Sequence, residues 1–223
     1  MSRQARMVVF DLGGVLVRIC RSWQEACAAA GEPYFELVRS EEQMAKRKAL
    51  TKLHEAGQVR CEAFFEQLAE TTAGLYSVAQ VRRVHEAWLL ALYPGVAELI
   101  EEIHRSGLAT GVLSNTNRAH WDVLVGQTAA AQNRSDYAAL GLVQTPHASH
   151  LLGCGKPDVA IFKAFEVATG RVGYGEQTLF FDDLPENVAG AVSAGWQSTH
   201  IDHAGDTSAQ MRADLRKRGW LAN

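Results

Sequence analysis

Four polar clusters punctuate the chain, and three of them stand where apolar runs stop. Met7-Val8-Val9-Phe10 leads straight into Asp11-Leu12-Gly13-Gly14. A second run over 108–113 stops at Ser114-Asn115-Thr116-Asn117, and a third over 178–181 ends at Asp182-Asp183. The remaining cluster is the turn Gly153-Cys154-Gly155-Lys156-Pro157, with Lys156 just ahead of an apolar helical pattern. If these groups converge, Asp11, Asp182 and Asp183 repel one another, and a lysine and a divalent cation are the natural counter-charges. Carboxylate and carbonyl oxygens without clustered His or Cys suit Mg²⁺ rather than zinc. A small hydroxyl and an amide, at Ser114-Asn115, can donate to an anion, and Lys156 can neutralise it as a point charge. A free carboxylate, a metal and donors together make a site for phosphoryl transfer.

The elements that must position these groups follow from the apolar spacing. Short buried runs bounded by turn residues read as strands. In an open α/β sheet, ligands bind beyond the carboxyl ends of the strands. Val96, Leu99, Ile100 and Ile103 give one helical stripe, and Val159, Ile161, Phe162 and Phe165 another. Strand and helix alternate from residue 93 onward, which predicts an α/β fold with a doubly wound parallel sheet. Residues 18–92 lack strand character and read as helices over 21–30, 35–56, 61–72 and 77–92. The expected organisation is therefore a core of 1–17 and 93–223 with an all-helical domain, 18–92, inserted after the first strand. Residues 126–146 read as irregular or weakly helical, and 148–152 as a short strand.

The clusters occur in order as FDLGGVL, VLSNTN, GKPDVAIF and FFDDLPENVAGA. Singly each is weak: Ser114-Asn115 reads equally as a helix cap, and Asp182-Asp183 as a capping pair. Jointly they resemble the haloacid dehalogenase superfamily of hydrolases, in the branch with a helical cap after the first motif, over essentially the whole chain. LSNTNR and FFDD are similar to the group containing a bacterial sugar-1-phosphate phosphatase. The resemblance implies that Asp11 is a nucleophile forming an aspartyl-phosphate. It implies that Ser114 and the amide of Asn115 hold phosphoryl oxygens and that Lys156 screens charge. Mg²⁺ would be held by Asp11, the Gly13 carbonyl, Asp182 and Asp183, with the direct ligand of the acidic pair left open. Asn187 would orient the acidic loop.

The chain departs from that pattern at one position. Most phosphatases of the superfamily carry a second Asp two residues after the nucleophile, as general acid and base; here that residue is Gly13. Such a loss is worth roughly 10²–10⁴ in rate. Either the leaving group needs little assistance, or a residue of the inserted helices or of 117–120 substitutes, or the protein only binds a phosphorylated ligand. A 2-haloacid dehalogenase is the rival enzyme, but members with that activity lack the acidic pair and need no metal. Candidate substrate contacts in the insert are Arg18, Arg21, Arg47, Lys48 and His54.

Composition sets the outer limits. The 223 residues are 47% hydrophobic and 21% charged, with a net charge of -3 that argues against general nucleic-acid binding. No apolar stretch approaches membrane-spanning length, and the four cysteines show no C-x-x-C spacing. A cytoplasmic protein acting on a small phosphorylated metabolite is expected, because a closing helical cap leaves little room for a macromolecule. The pairs His147/His150 and His200/His203 read as strand-end and loop histidines rather than metal ligands.

Overall fold

The computed structural model describes residues 6–125 and 135–222. Much of the irregular stretch expected over 126–146, its residues 126–134, lies outside the described residues, as do residues 1–5 of the first core segment.

Strand β1 (Met7–Phe10) is buried over its full length and lies at the centre of a five-stranded parallel sheet. It pairs on one side with β4 (Ala109–Ser114) and on the other with β6 (Thr178–Asp182). Strands β5 (Thr145–Ala148) and β7 (Gln197–His200) form the edges, giving the order β5-β4-β1-β6-β7. Side chains of a strand alternate between faces, and β1 feeds two cores accordingly. Val8 and Phe10 pack with helix α5 (Val96–Arg105) and helix α10 (Thr207–Lys217), through Ile100, Ile103, Met211 and Leu215. Met7 and Val9 pack on the other face with Phe162 and Phe165 of α8 (Val159–Ala168) and Ala191 of α9 (Pro185–Ser193). This is the doubly wound α/β architecture expected.

The register fixes the site. Phe10 is level with Val112 on β4 and with Phe181 on β6. Asp11 therefore leaves the sheet beside Asp182, and its amide still donates to the Phe181 carbonyl at 2.9 Å. Ser114 closes β4 on the other side.

Between β2 (Val17–Ile19) and β3 (Leu89–Leu92) lie helices α1 (Trp23–Ala30), α2 (Glu41–Glu55), α3 (Cys61–Glu70) and α4 (Val78–Glu86). Ser22, Ser40 and Ser77 cap three of them, Ser77 through a reciprocal capping box with Gln80. The four share a separate apolar cluster that includes Cys27, Phe64, Phe65, Leu68, Val81 and Val84.

Three expectations need correction. The last inserted helix stops at Glu86, and Leu89–Leu92 is a strand antiparallel to β2, with a register irregularity between Arg18 and Ile19. Pairing with β2 makes this segment a strand, and Leu89 and Leu92 pack against the larger core from it. The insert is thus not all-helical, since it enters and leaves through one two-stranded ribbon. The expected strand over 148–152 is instead β5, ending at Ala148, followed by the short helix α7 (Ser149–Leu152). Pro146 inside β5 masks the strand in the sequence; as an edge strand it tolerates the missing donor. Residues 36–39 form a 3₁₀ turn separate from α2, because Ser40 caps the longer helix.

Phe162 is fully buried, whereas Val167 on the same helix is 70% exposed. Phe162→Ala is expected to lower the unfolding free energy by about 3–5 kcal/mol in a urea titration. Val167→Ala should stay within about 0.5 kcal/mol. Equal effects would contradict the two-faced packing.

Candidate active site

Asp11, Lys156 and Asp182 form the centre of the site. Lys156 Nζ lies 3.0 Å from Asp11 Oδ1 and 2.6 Å from Asp182 Oδ2, with its side chain fully buried. Asp183 joins them: one carboxylate oxygen from each of the three aspartates falls within 4.8 Å of the others. Among the described residues this is the one group of His, Cys, Asp and Glu side chains spaced to hold a metal ion.

Each member is fixed by neighbours that the local sequence supplies. The Asp11 carboxylate accepts from its neighbouring amide, Leu12 N, at 2.7 Å, and the Ser114 hydroxyl also reaches it. Gly14 has φ +82°, and a Cβ there would collide with the Asp183 carboxylate and the Arg21 guanidinium, so glycine is required. Asp182 is saturated by protein donors. Leu184 N donates at 2.8 Å, Asn187 Nδ2 reaches both oxygens at 3.0 and 3.1 Å, and Lys156 completes the set. Asn187 therefore braces the acidic loop as expected. Among the described residues, the side-chain partner of Asp183 is Arg21, whose Nη1 lies 2.8 Å away. The Asn115 side chain turns away from Asp11 and clamps the Lys156 backbone, accepting from its N at 2.8 Å and donating to its O at 2.9 Å. The helix cap is instead Asn117, which accepts from His120 N at the start of α6 (Arg118–Leu124).

The electrostatics follow from burial. Burial pushes the Asp11 carboxyl up to about 6; Lys156 and Ser114 oppose the shift, and Asp182 and Asp183 add to it. Burial would lower the Lys156 ammonium, but Asp11 and Asp182 outweigh it and hold it above the ordinary lysine range.

A cleft of about 820 Å³ opens above this centre, lined from the core by Gly13, Ser114, Asn115 and Lys156. The insert closes its other side, through residues that include Arg21, Lys48, Glu55 and Trp88. The candidate contacts divide accordingly. Arg21 and Lys48 line the cleft. Arg47 lines it too, but its guanidinium is held by the Val38 and Thr71 carbonyls and stacks over Trp23. Arg18 is exposed in a separate shallow groove, and His54 is buried against Phe64, so neither contacts the cleft. His147, His150 and His200 each bond a backbone carbonyl.

Sequence reasoning missed Glu55, which reaches the cleft from the last turn of α2. One signal was available: a carboxylate at a helix C-terminus opposes the helix dipole and so needs another reason to be there.

The profile of the haloacid dehalogenase-like hydrolases matches residues 5–195. The chain belongs to that family. The phosphatase MT3486 of Mycobacterium tuberculosis (strain CDC 1551 / Oshkosh) is 34% identical over 128 residues, 57% of this chain and 54% of that protein. The chain thus matches about half the length of this relative. A predicted HAD-like hydrolase from Porphyromonas gingivalis has a TM-score of 0.72 at 26% identity, covering 95% of this chain and 98% of that one. The HAD family enzyme bt-2542 of Bacteroides thetaiotaomicron, in complex with magnesium and inorganic phosphate, has a TM-score of 0.73 at 22% identity, covering 94% and 100%. The L-2-haloacid dehalogenase of Xanthobacter autotrophicus shares the fold at a TM-score of 0.59 and 20% identity, covering 89% and 78%.

The raised Asp11 value has a consequence for stability. A carboxyl whose folded pKa exceeds its ordinary value of about 3.9 favours the folded state while protonated and loses that contribution as pH rises. The window here runs from about 4 to about 6. In chelator, Asp11→Asn is expected to melt higher than wild type above pH 6, with the difference vanishing below about pH 4. Melting curves across that range test this; a variant less stable than wild type at pH 8 would contradict it.

Proposed function

We propose that the chain is a Mg²⁺-dependent phosphatase that hydrolyses a small phosphorylated metabolite, including sugar phosphates, through an aspartyl-phosphate. One observation carries the reading. A buried carboxylate, Asp11, lies beside cleft-lining Gly13, Ser114 and Lys156 and is flanked by a lysine, a hydroxyl and two further carboxylates. A nucleophile, a charge screen and a cation site are therefore within one side-chain length of each other.

In this reading Asp11 attacks phosphorus. The Ser114 hydroxyl and the Asn115 backbone amide hold the phosphoryl oxygens. Lys156 keeps two anions, Asp11 and the phosphoryl group, compatible in a buried site. Asp11, the Gly13 carbonyl and the acidic pair would hold Mg²⁺, whose charge offsets that of the phosphoryl group and the carboxylates. The donor set fits the ion: hard oxygens only, converging from two loops. Asp182 already spends both oxygens on protein donors, so Asp183 is the better direct ligand of the pair, with Arg21 standing by it. Residues 18–92 serve as the cap that closes over the substrate and excludes water. We place the activity in the cytoplasm, in keeping with four unpaired cysteines. No helix of the described residues is long and apolar enough to cross a membrane.

The relatives support this reading without extending to a substrate: one carries the name phosphatase, and another holds magnesium and phosphate. The acidic pair favours it over dehalogenation, since carbon–halogen displacement by Asp11 needs no cation.

Purified protein should release phosphate from members of a panel of sugar 1-phosphates, sugar 6-phosphates and other phosphorylated metabolites in Mg²⁺. Chelator and Asp11→Asn should each reduce release to background. Halide release from 2-haloacids that persists in chelator would instead support dehalogenation. Binding of phosphorylated ligands without turnover would leave a binding protein.

A further inference from the structure

Gly13 leaves the phosphatase reading without a group to protonate the leaving oxygen. Glycine has no side chain to give a proton, and the end of the Ile19 side chain, 2.9 Å from where a Gly13 Cβ would lie, borders that position. The proton donor must enter the cleft from another element.

We infer that Glu55, delivered by the C-terminus of α2 to the cleft wall opposite Asp11 and Lys156, is the general acid and base of the reaction. The inference rests on the phosphatase reading above.

Three features place Glu55 there. It lines the same cleft as Gly13, Ser114, Asn115 and Lys156. The end of its helix is docked on the core rather than free. Ser149 Oγ donates to the Glu55 carbonyl at 2.5 Å and accepts from Thr116 N at 3.0 Å, tying α2 to the loop that follows Ser114. Just beyond, Gly57 takes φ +72°, and a Cβ there would lie 2.9 Å from the His150 carbonyl, so the chain leaves the helix in close contact with α7. Finally, the Glu55 carboxyl has no hydrogen-bond or ion-pair partner among the described residues, although it lies within electrostatic reach of Asp11 and Lys156. A carboxyl spared from structural bonding, on the cleft wall and within reach of the Asp11 charge, is available to exchange a proton.

Its environment suits the task. Burial and the Asp11 charge push Glu55 up to about 7, against the pull of Lys156, so both protonation states are accessible near neutrality. The two histidines that line the cleft are worse placed. Burial holds His120 down at about 4 and His85 well below the ordinary histidine range, and their rings stack on each other. His120 Nε2 is also committed to the His85 carbonyl. The segment 117–120 therefore offers no proton donor.

The steps balance as follows. As Asp11 Oδ bonds to phosphorus and the ester P–O bond breaks, the Glu55 carboxyl gives its proton to the departing oxygen, releasing the alcohol. Glu55 carboxylate then takes a proton from water as the water oxygen attacks phosphorus and the Asp11–phosphorus linkage breaks. Inorganic phosphate leaves, with Asp11 ionised and Glu55 protonated again.

The test compares wild type, Glu55→Gln and Glu55→Asp on two substrates in Mg²⁺: an alkyl phosphate from the panel and p-nitrophenyl phosphate, whose leaving group needs no proton. For Glu55→Gln, alkyl phosphate turnover should fall by roughly 10²–10⁴. With p-nitrophenyl phosphate the same variant should release a burst of about one nitrophenolate per enzyme and then stall, because the aspartyl-phosphate forms but lacks its base. Glu55→Asp, which keeps the acid, should recover part of the alkyl activity. A Glu55→Gln enzyme with unchanged alkyl turnover, or one slowed equally on both substrates without a burst, overturns the role of Glu55 while leaving the phosphatase intact. Wild type inactive on both substrates and on the whole panel overturns the underlying reading, and this inference with it.

Discussion

The structure turns on a single buried ammonium. Three carboxylates gathered within 4.8 Å would repel pairwise by about 3–4 kcal/mol at an effective dielectric near 20. Lys156 bridges two of them, and Arg21 pairs with the third. The sheet makes this arrangement unavoidable: β1 and β6 are adjacent and parallel, in a register that ends both in aspartate on the same edge. The turn before α8 must then carry Lys156 across from the far side, and Asn115 holds its backbone in place. Removing the lysine would leave buried anions unpaired, the costly half of any buried ion pair.

The same constraint explains why the site is chemically poised. Burial costs ionised Asp11 more than Lys156 and Ser114 return, which holds its carboxyl above the ordinary range. A cation or an electrophilic phosphorus gives that charge somewhere to go. Asp182 is bound by protein donors on both oxygens and serves as the frame, while Asp183 pairs through one oxygen with Arg21. The insert completes the enclosure and is tethered to the core by contacts that include the Arg21–Asp183 pair, the Ser149–Glu55 hydrogen bond and the bonds of Asn117 and His120 to His85.

Much of this was legible in the sequence because strands in parallel sheets are buried on both faces and read as apolar runs. Such a run ending in a carboxylate marks a strand end, as at Asp11 and Asp182. The helical stripes of α5 and α8 were equally plain. What escaped was structure decided by tertiary contact. Leu89–Leu92 follows a helix without a breaker, and only its pairing with β2 makes it a strand. Strand β5 carries Pro146 and His147 and is held by β4 rather than by its own propensity. Glu55 lies 44 positions from Asp11 in a helix crowded with charges, and its neighbourhood exists only once α2 docks on Ser149. Arg18 and His54 show the converse: plausible residue types whose side chains face the wrong way.

The central claim is that Asp11 carries the phosphoryl group during turnover. The direct measurement is mass spectrometry of enzyme quenched in acid while it hydrolyses a substrate in Mg²⁺, followed by peptide mapping. One phosphoryl group on the peptide containing Asp11, labile to hydroxylamine and absent in chelator, is the predicted result. Sustained phosphate release with no covalent phosphoryl group under any quench time, or with the group on another residue, would contradict it.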